Sequence, residues 1–159
     1  MYNMDMETNT TDTAKKSTWK SWVFGIVLGV GLVILGATGF IKDDNVNTTL
    51  VYVGASQAAA GATELNPELA KAFVKTADVI DAAVEARTTD PKELVDIITE
   101  SLKDYTTADV RPVVEAAVVY INQAYSASET EVMYYKKLQY LARGFRSGVQ
   151  PVLSTATEE

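Results

Sequence analysis

The 159-residue chain contains neither cysteine nor histidine. Without cysteine it has no disulfide, no lipid-modified cysteine and no thiolate metal site. Without histidine it lacks the commonest zinc ligand and the commonest general base. We therefore expect a protein that is not an enzyme, with no catalytic residue, no metal site and no cofactor.

Positive charge is also scarce. The chain has 14 Lys and Arg residues against 21 Asp and Glu residues, which gives a net charge of −7. Residues 1–20 hold equal numbers of basic and acidic side chains, so the acidic excess lies in the C-terminal part. Binding to nucleic acid needs a basic patch that replaces phosphate counterions, and the chain has none. We expect no nucleic-acid partner.

One long apolar run stands out, from Ser21 to Ile41, with 21 residues and no charge. At about 1.5 Å per residue a helix of this length spans roughly 30 Å, the thickness of the hydrocarbon core of a bilayer. The run predicts a transmembrane helix at residues 21–41, with the lipid bilayer as its partner.

The lysines around the run indicate its orientation. Lys15, Lys16 and Lys20 precede it, whereas on the other side Lys42 is followed at once by two aspartates. Lys and Arg close to a span stay in the cytoplasm. Residues 1–20, which are polar and aperiodic, are therefore predicted to form a disordered cytoplasmic tail, and the C-terminal domain of this single-pass protein to be exported.

A cleavable signal peptide is the alternative interpretation of the run. Val23–Leu35 has the character of its apolar core, and small residues at 37–39 suit a signal peptidase. The apolar stretch continues to Ile41, however, which favours an uncleaved anchor.

Glycines recur within the run. Gly25 and Gly29 form a Gly-x-x-x-Gly pair, and Gly36 falls seven residues after Gly29. Small residues on one stripe let two membrane helices approach closely. The stripe predicts helix packing through these three glycines and hence a homo-oligomer.

Residues 42–65 read as a turn followed by an Ala/Gly-rich helix. Residues 46–63 carry no charge and are long enough to be considered as a second membrane span. Asn47, Thr48 and Gln57 make insertion costly, so the alternative is a helix that lies on the membrane or against the rest of the domain.

Residues 66–148 carry the signals of four amphipathic helices joined by short links. Helix starts are indicated by Asn66 before a proline, by Asp90 before a proline, by Thr107 or Asp109, and by a capping box at Ser128–Glu131. Gly144, Gly148 and Pro151 are expected to end the last helix, which leaves 149–159 as a tail. The predicted fold class is all-α: one N-terminal transmembrane helix followed by a small antiparallel four-helix bundle.

Apolar residues at helical spacing predict the buried stripes of the four helices. The stripes are Leu69, Phe73, Ala77, Ile80 and Val84; Leu94, Ile98, Leu102 and Tyr105; Val110, Val114, Ala117, Ile121 and Tyr125; and Tyr134, Leu138, Leu141 and Phe145.

Two groups of polar or aromatic side chains could carry a function. Carboxylates share helical faces, with Asp78, Asp81 and Glu85 on one helix and Asp96, Glu100 and Asp104 on the next; such rows can bind cations but are typical of solvated surfaces. In the basic last helix, Tyr134, Tyr135 and Tyr140 offer contact area for a protein partner, with rim packing as the alternative. We expect Lys136, Lys137, Arg143 and Arg146 of this helix to face the acidic helices, in the same bundle or in another copy.

In its overall plan the segment Lys15–Ile41 with the domain after it resembles a single-span phage holin, and a second span would resemble two-span holins. The resemblance implies lateral assembly of the Ser21–Ile41 helices until the bilayer fails. A structural membrane protein or adaptor of a virion or cell envelope, whose bundle binds another protein, is the alternative function.

Overall fold

A computed structural model describes residues 44–105 and 108–155, and the regular structure in these ranges is entirely α-helical. Its five helices are α1 (Asp44–Leu65), α2 (Leu69–Glu85), α3 (Pro91–Ser101), α4 (Arg111–Ser126) and α5 (Glu131–Thr155). The all-α prediction is confirmed for these residues. The predicted span 21–41, with Gly25, Gly29 and Gly36, lies outside them, as do Lys15, Lys16 and Lys20.

The Ala-rich residues 46–63 fall within α1, which is part of the bundle. One side of α1 is buried, and it includes Val51, Ala55, Ala59 and Ala62. In the part of the chain that the structure describes, no helix has both the length and the apolar character needed to cross a membrane.

Successive helices run in opposite directions, as their short links require. Five alternating helices bring α1 and α5 side by side in the same direction: Tyr52 lies opposite Gly144, and Ser56 opposite Gly148. The beginning of α1, the α2–α3 link and the α4–α5 link therefore lie at one end of the bundle. We call this the proximal end and define it by residues 44–46, 86–90 and 125–132.

The core lies along α5, which contacts α1 and α2 most extensively. Phe145 is fully buried at its centre, with its ring 5.1 Å from that of Phe73 and 6.5 Å from that of Tyr120. The predicted stripes of α2, α3 and α5 are buried, with Val84 and Tyr105 at their margins. The periodicity of the apolar residues predicted these stripes correctly because each of the three helices has only one apolar face.

The predicted stripe of α4 is partly wrong. Its buried residues are Val113, Ala116, Ala117, Tyr120, Ile121 and Ala124, whereas Val110 and Val114 are half-buried and Tyr125 is exposed. Most side chains of α4 are apolar, so its sequence permits two neighbouring faces. The ring of Tyr120 fixes the choice, because it fits against Gly54 of α1 and Phe145 of α5.

The predicted end of the last helix is also wrong. α5 continues through Gly144, Gly148 and Pro151 as far as Thr155, so the bundle includes most of the predicted tail. A Cβ atom at Gly144 would lie 2.6 Å from the carbonyl oxygen of Tyr52, and one at Gly148 would lie 2.2 Å from that of Ser56. These glycines are present because the backbones of α1 and α5 touch, not because the helix stops.

The helix caps agree with the sequence in one case and differ in another. The Asp90 carboxylate accepts a hydrogen bond from the Lys92 amide at 2.8 Å, as predicted. At the start of α5, Thr130 rather than Ser128 receives the bond, from the Met133 amide at 3.3 Å. Ser128 instead donates to the Ala124 carbonyl at 2.6 Å, at the end of α4.

Candidate functional site

The carboxylate row on α2 serves to hold α5. Arg146 of α5 donates to Asp81 through one terminal nitrogen and to Asp78 through the other, both at 2.7 Å. The expectation that a cation of the last helix faces an acidic helix of the same bundle is met by Arg146. With their charges paired in this way, Asp78 and Asp81 act as a structural clamp.

The carboxylate row on α3 lies on an open surface. Asp96 pairs with Lys92 at 2.6 Å, and Glu100 pairs with Lys103. These side chains are mostly exposed, and a shallow depression along them includes the partly exposed Ile97. The geometry is that of a solvated helix face. Among the described residues, no group of three or more acidic side chains is arranged to hold a metal ion.

The three tyrosines predicted to contact a protein lie in different environments. Tyr134 is only 2% exposed and belongs to the core, which does not fit a contact at that residue. Tyr135 is half-buried and donates to the Arg87 carbonyl at 2.9 Å. Tyr140 is also half-buried, and the guanidinium of Arg143 lies 5.5 Å from the centre of its ring. The rings of Tyr134 and Tyr135 lie 6.0 Å apart, but Tyr134 has almost no exposed surface to offer a partner.

Among the tyrosines that the structure describes, Tyr125 is the most exposed, although its spacing in the sequence predicts a place on a buried stripe. It is 53% exposed, and its ring meets that of Tyr134 edge to face at 5.5 Å. The exposure of Tyr125 could have been predicted from its position at the end of α4, four residues after the buried Ile121, where the helix leaves the core.

Tyr125 and Tyr134 border a groove at the proximal end of the bundle. Six of its lining residues are Thr89, Tyr125, Ser128, Glu129, Glu131 and Tyr134. They come from the α2–α3 link, the end of α4, the α4–α5 link and the beginning of α5. The groove is therefore formed where two stretches of the chain meet, the α2–α3 link and the continuous stretch from the end of α4 to the beginning of α5, with hydroxyl groups and carboxylates among its lining residues.

The hydroxyl of Tyr134 is the one buried side-chain polar atom, among the residues described, that has no hydrogen-bond partner. Burial, with a smaller contribution from the negative charge of Asp90, raises its pKa to about 12. It is therefore a neutral group at ordinary pH. A buried hydroxyl without a hydrogen-bond partner lowers the stability of the folded state. Its presence distinguishes this end of the bundle from the rest of the described core.

A buried ammonium group lies next to this groove. Lys137 is 1% exposed, and its Nζ donates to the carbonyl of Ala127 and, at 3.2 Å, to the hydroxyl of Ser128. The group closes the end of α4, where carbonyls favour a cation. Of the four basic residues in the last helix, Lys137 thus bridges to α4 and Arg146 to α2.

The described residues form no constellation of nucleophile, base and oxyanion donor that would define a reaction. No protein-family model, no curated protein and no solved structure matches the chain. Function must therefore be argued from the residues themselves.

Proposed function

We propose that the chain is a non-enzymatic, membrane-anchored helical protein. Its Ser21–Ile41 segment holds it in the bilayer with the N-terminus in the cytoplasm, and its bundle acts outside the cytoplasm as an adaptor for another protein of an envelope. The observation that carries the proposal is the continuity of the chain: only Lys42 and Asp43 separate the 21-residue apolar run from a well-packed bundle.

The structure of the bundle favours the adaptor hypothesis, because the contacts of its described side chains hold the helices together. Two charged side chains of α5, the half-buried Arg146 and the buried Lys137, bridge helices. A rigid domain held close to a membrane offers a fixed surface rather than a reaction centre.

Self-association through Gly25, Gly29 and Gly36 is part of the proposal. It supports a second candidate function, that of a holin-like lysis protein whose helices assemble until the bilayer fails. The specific observation in its favour is the spacing of these glycines in the sequence, four and seven residues apart, which in a helix would place them on one stripe and permit close backbone contact.

Membrane attachment and orientation are tested together in bacterial spheroplasts. The full chain should stay in the membrane fraction after alkaline carbonate washing, and external protease should digest the bundle but spare residues 1–20. A chain released by carbonate would refute the anchor. A bundle protected from protease in intact spheroplasts but digested after lysis would reverse the orientation.

Inducible expression separates the two candidate functions. Continued growth with an intact membrane potential is expected for an adaptor, whereas an abrupt loss of potential would identify a lysis protein. Replacement of Gly25 and Gly29 by Ile should weaken self-association in a membrane two-hybrid assay. The matched control is Gly31→Ile, which adds the same side chain at a glycine outside the spacing of Gly25, Gly29 and Gly36 and should leave association unchanged.

A further inference from the structure

The proximal end of the bundle lies where the chain would leave the membrane. This inference rests on the proposed anchor at residues 21–41. The three steps from Ile41 to the first residue of α1, Asp44, reach at most about 11 Å even when fully extended. The first turn of α1 is therefore held within that distance of the headgroup layer.

The register of α1 and α5 shows which other residues are held at this level. Tyr52 lies opposite Gly144 and Ser56 opposite Gly148, so Asp44 is level with residue 136 of α5. Because α5 begins at Glu131, it extends beyond the start of α1 by about five residues, roughly 7.5 Å. Val132 and the adjoining α4–α5 link thus project toward the membrane, past the point at which α1 begins.

Exposed apolar side chains are concentrated at the same end. Of the five large hydrophobic residues exposed in the described part of the chain, three lie there: Val46 at 38%, Tyr125 at 53% and Val132 at 76%. Single exposed hydrophobic residues are common on protein surfaces. Here, however, the most exposed of them share the one surface that the anchor would hold against lipid.

The charges at the proximal end determine which lipid headgroups it favours. The carboxylates of Glu129 and Glu131 are exposed beside Tyr125, and Asp90 lies close enough to Tyr134 to affect its titration. Acidic side chains are repelled by anionic headgroups, whereas the rings of tyrosines favour the boundary between headgroups and acyl chains.

We propose that the proximal end rests on the membrane surface, with Val132 and Tyr125 inserted among zwitterionic headgroups. The bundle is then oriented by two attachments, the anchor and this surface. Its distal end, with the α1–α2 link, points away from the lipid and is left free for a protein partner.

The absence of cysteine allows a direct test in the full chain. Val132→Cys and Val46→Cys place an environment-sensitive fluorophore at the proximal end, and Glu68→Cys places it on an exposed residue at the distal end as the matched control. Each labelled protein is reconstituted into phosphatidylcholine vesicles that contain a lipid with a nitroxide on its headgroup. We expect several-fold stronger quenching at residues 132 and 46 than at residue 68.

Equal quenching at the two ends, in protein that resists carbonate extraction, would overturn this inference and leave the anchor standing. Release of the protein by carbonate would overturn both. Replacing part of the phosphatidylcholine with phosphatidylglycerol should lower the quenching at residue 132. An increase there would contradict the preference for zwitterionic lipid.

Discussion

Helix α5 is held by two different kinds of contact. Toward α1 it presents Gly144 and Gly148, and the two backbones approach so closely that a Cβ atom would collide with carbonyl oxygens. Toward α2 it presents the ring of Phe145 and the guanidinium of Arg146. The contact with α1 is between backbones and cannot adjust, whereas the contact with α2 is made by side chains that can shift to accommodate a change.

This difference explains the composition of α1. A helix whose backbone touches its neighbour needs small residues along that side, and Ala55, Ala59 and Ala62 are buried there. The uncharged character that made residues 46–63 resemble a second span is accounted for by packing within the bundle. Small residues thus let the backbones of α1 and α5 approach each other in the same way as they do in pairs of membrane helices.

The glycine contact should be the most sensitive to change. Gly148→Ala adds a methyl group 2.2 Å from the Ser56 carbonyl oxygen, so α1 and α5 must separate. Overpacking costs about 1–3 kcal/mol, and a collision between backbones belongs at the upper end of that range. After the roughly 1 kcal/mol by which alanine favours the helix is subtracted, we expect a net loss of about 2 kcal/mol. Urea unfolding of the full chain in mild detergent, followed by circular dichroism, measures the loss.

Gly54→Ala is the matched control for this substitution. Its new methyl group would meet the ring of Tyr120 at 2.9 Å, and a ring can tilt where a backbone cannot. We expect a change smaller than about 1 kcal/mol in either direction. If Gly148→Ala were no less stable than Gly54→Ala, the contrast between rigid and adaptable contacts would be refuted.

Alkaline pH should destabilise the bundle through the two buried tyrosines at the aromatic contacts of α5. Burial raises the pKa of Tyr120 to about 12, and burial with the charge of Asp90 does the same for Tyr134. Between pH 10 and 12 the unfolded tyrosines lose their protons while the folded ones keep them, so stability falls as pH rises through this window. Each tyrosine should remove about 1 kcal/mol by pH 11.

The double variant Tyr120→Phe, Tyr134→Phe provides the control for the pH experiment. It has no titrating hydroxyl at either position, so the loss of stability between pH 10 and 11 should be clearly smaller than in the unmodified chain. The measurement is the urea midpoint at each pH. An identical decline in both proteins would show that other groups cause it.

The charged contact between α5 and α2 should contribute less. Arg146→Gln removes the bonds to Asp78 and Asp81, but the guanidinium is 38% exposed and water replaces part of the interaction. We expect a loss of about 1 kcal/mol that shrinks as salt is added. Arg143→Gln, on an exposed position of the same helix, should cost less, and a larger loss there would contradict the assignment of Arg146 as the clamp.

Much of this architecture could be predicted from the sequence. The stripes of α2, α3 and α5 and the cap at Asp90 follow from local patterns, because each depends on residues within a few turns of the chain. The role of Gly148 could not be predicted, since its reason lies at Ser56, 92 residues earlier. A glycine that ends a helix and a glycine that admits a neighbouring backbone look alike in sequence.

The candidate site was predicted less well than the fold. Tyr134, which was predicted both on a buried stripe and as a possible protein contact, is buried, whereas Tyr125, assigned to the core, is exposed. Tyr125 lies at the end of α4, where a shift of one residue in the buried face covers Tyr120 and leaves Tyr125 exposed. Periodicity identifies that face only when the opposite side of the helix is polar, and α4 has too few polar residues for that.

The smallest effects, of opposite sign, are expected at two adjacent tyrosines. Tyr134→Phe removes a buried hydroxyl that has no partner in the described structure, so it should stabilise the bundle by about 1 kcal/mol. Tyr135→Phe removes the bond to the Arg87 carbonyl and should destabilise it by up to about 1 kcal/mol. The two variants lose the same atom from neighbouring residues of α5, so each is the control for the other in urea unfolding at neutral pH. A loss of stability in both would mean that the Tyr134 hydroxyl is bound in solution, and the groove at the proximal end would then hold an ordered group that the hydroxyl contacts.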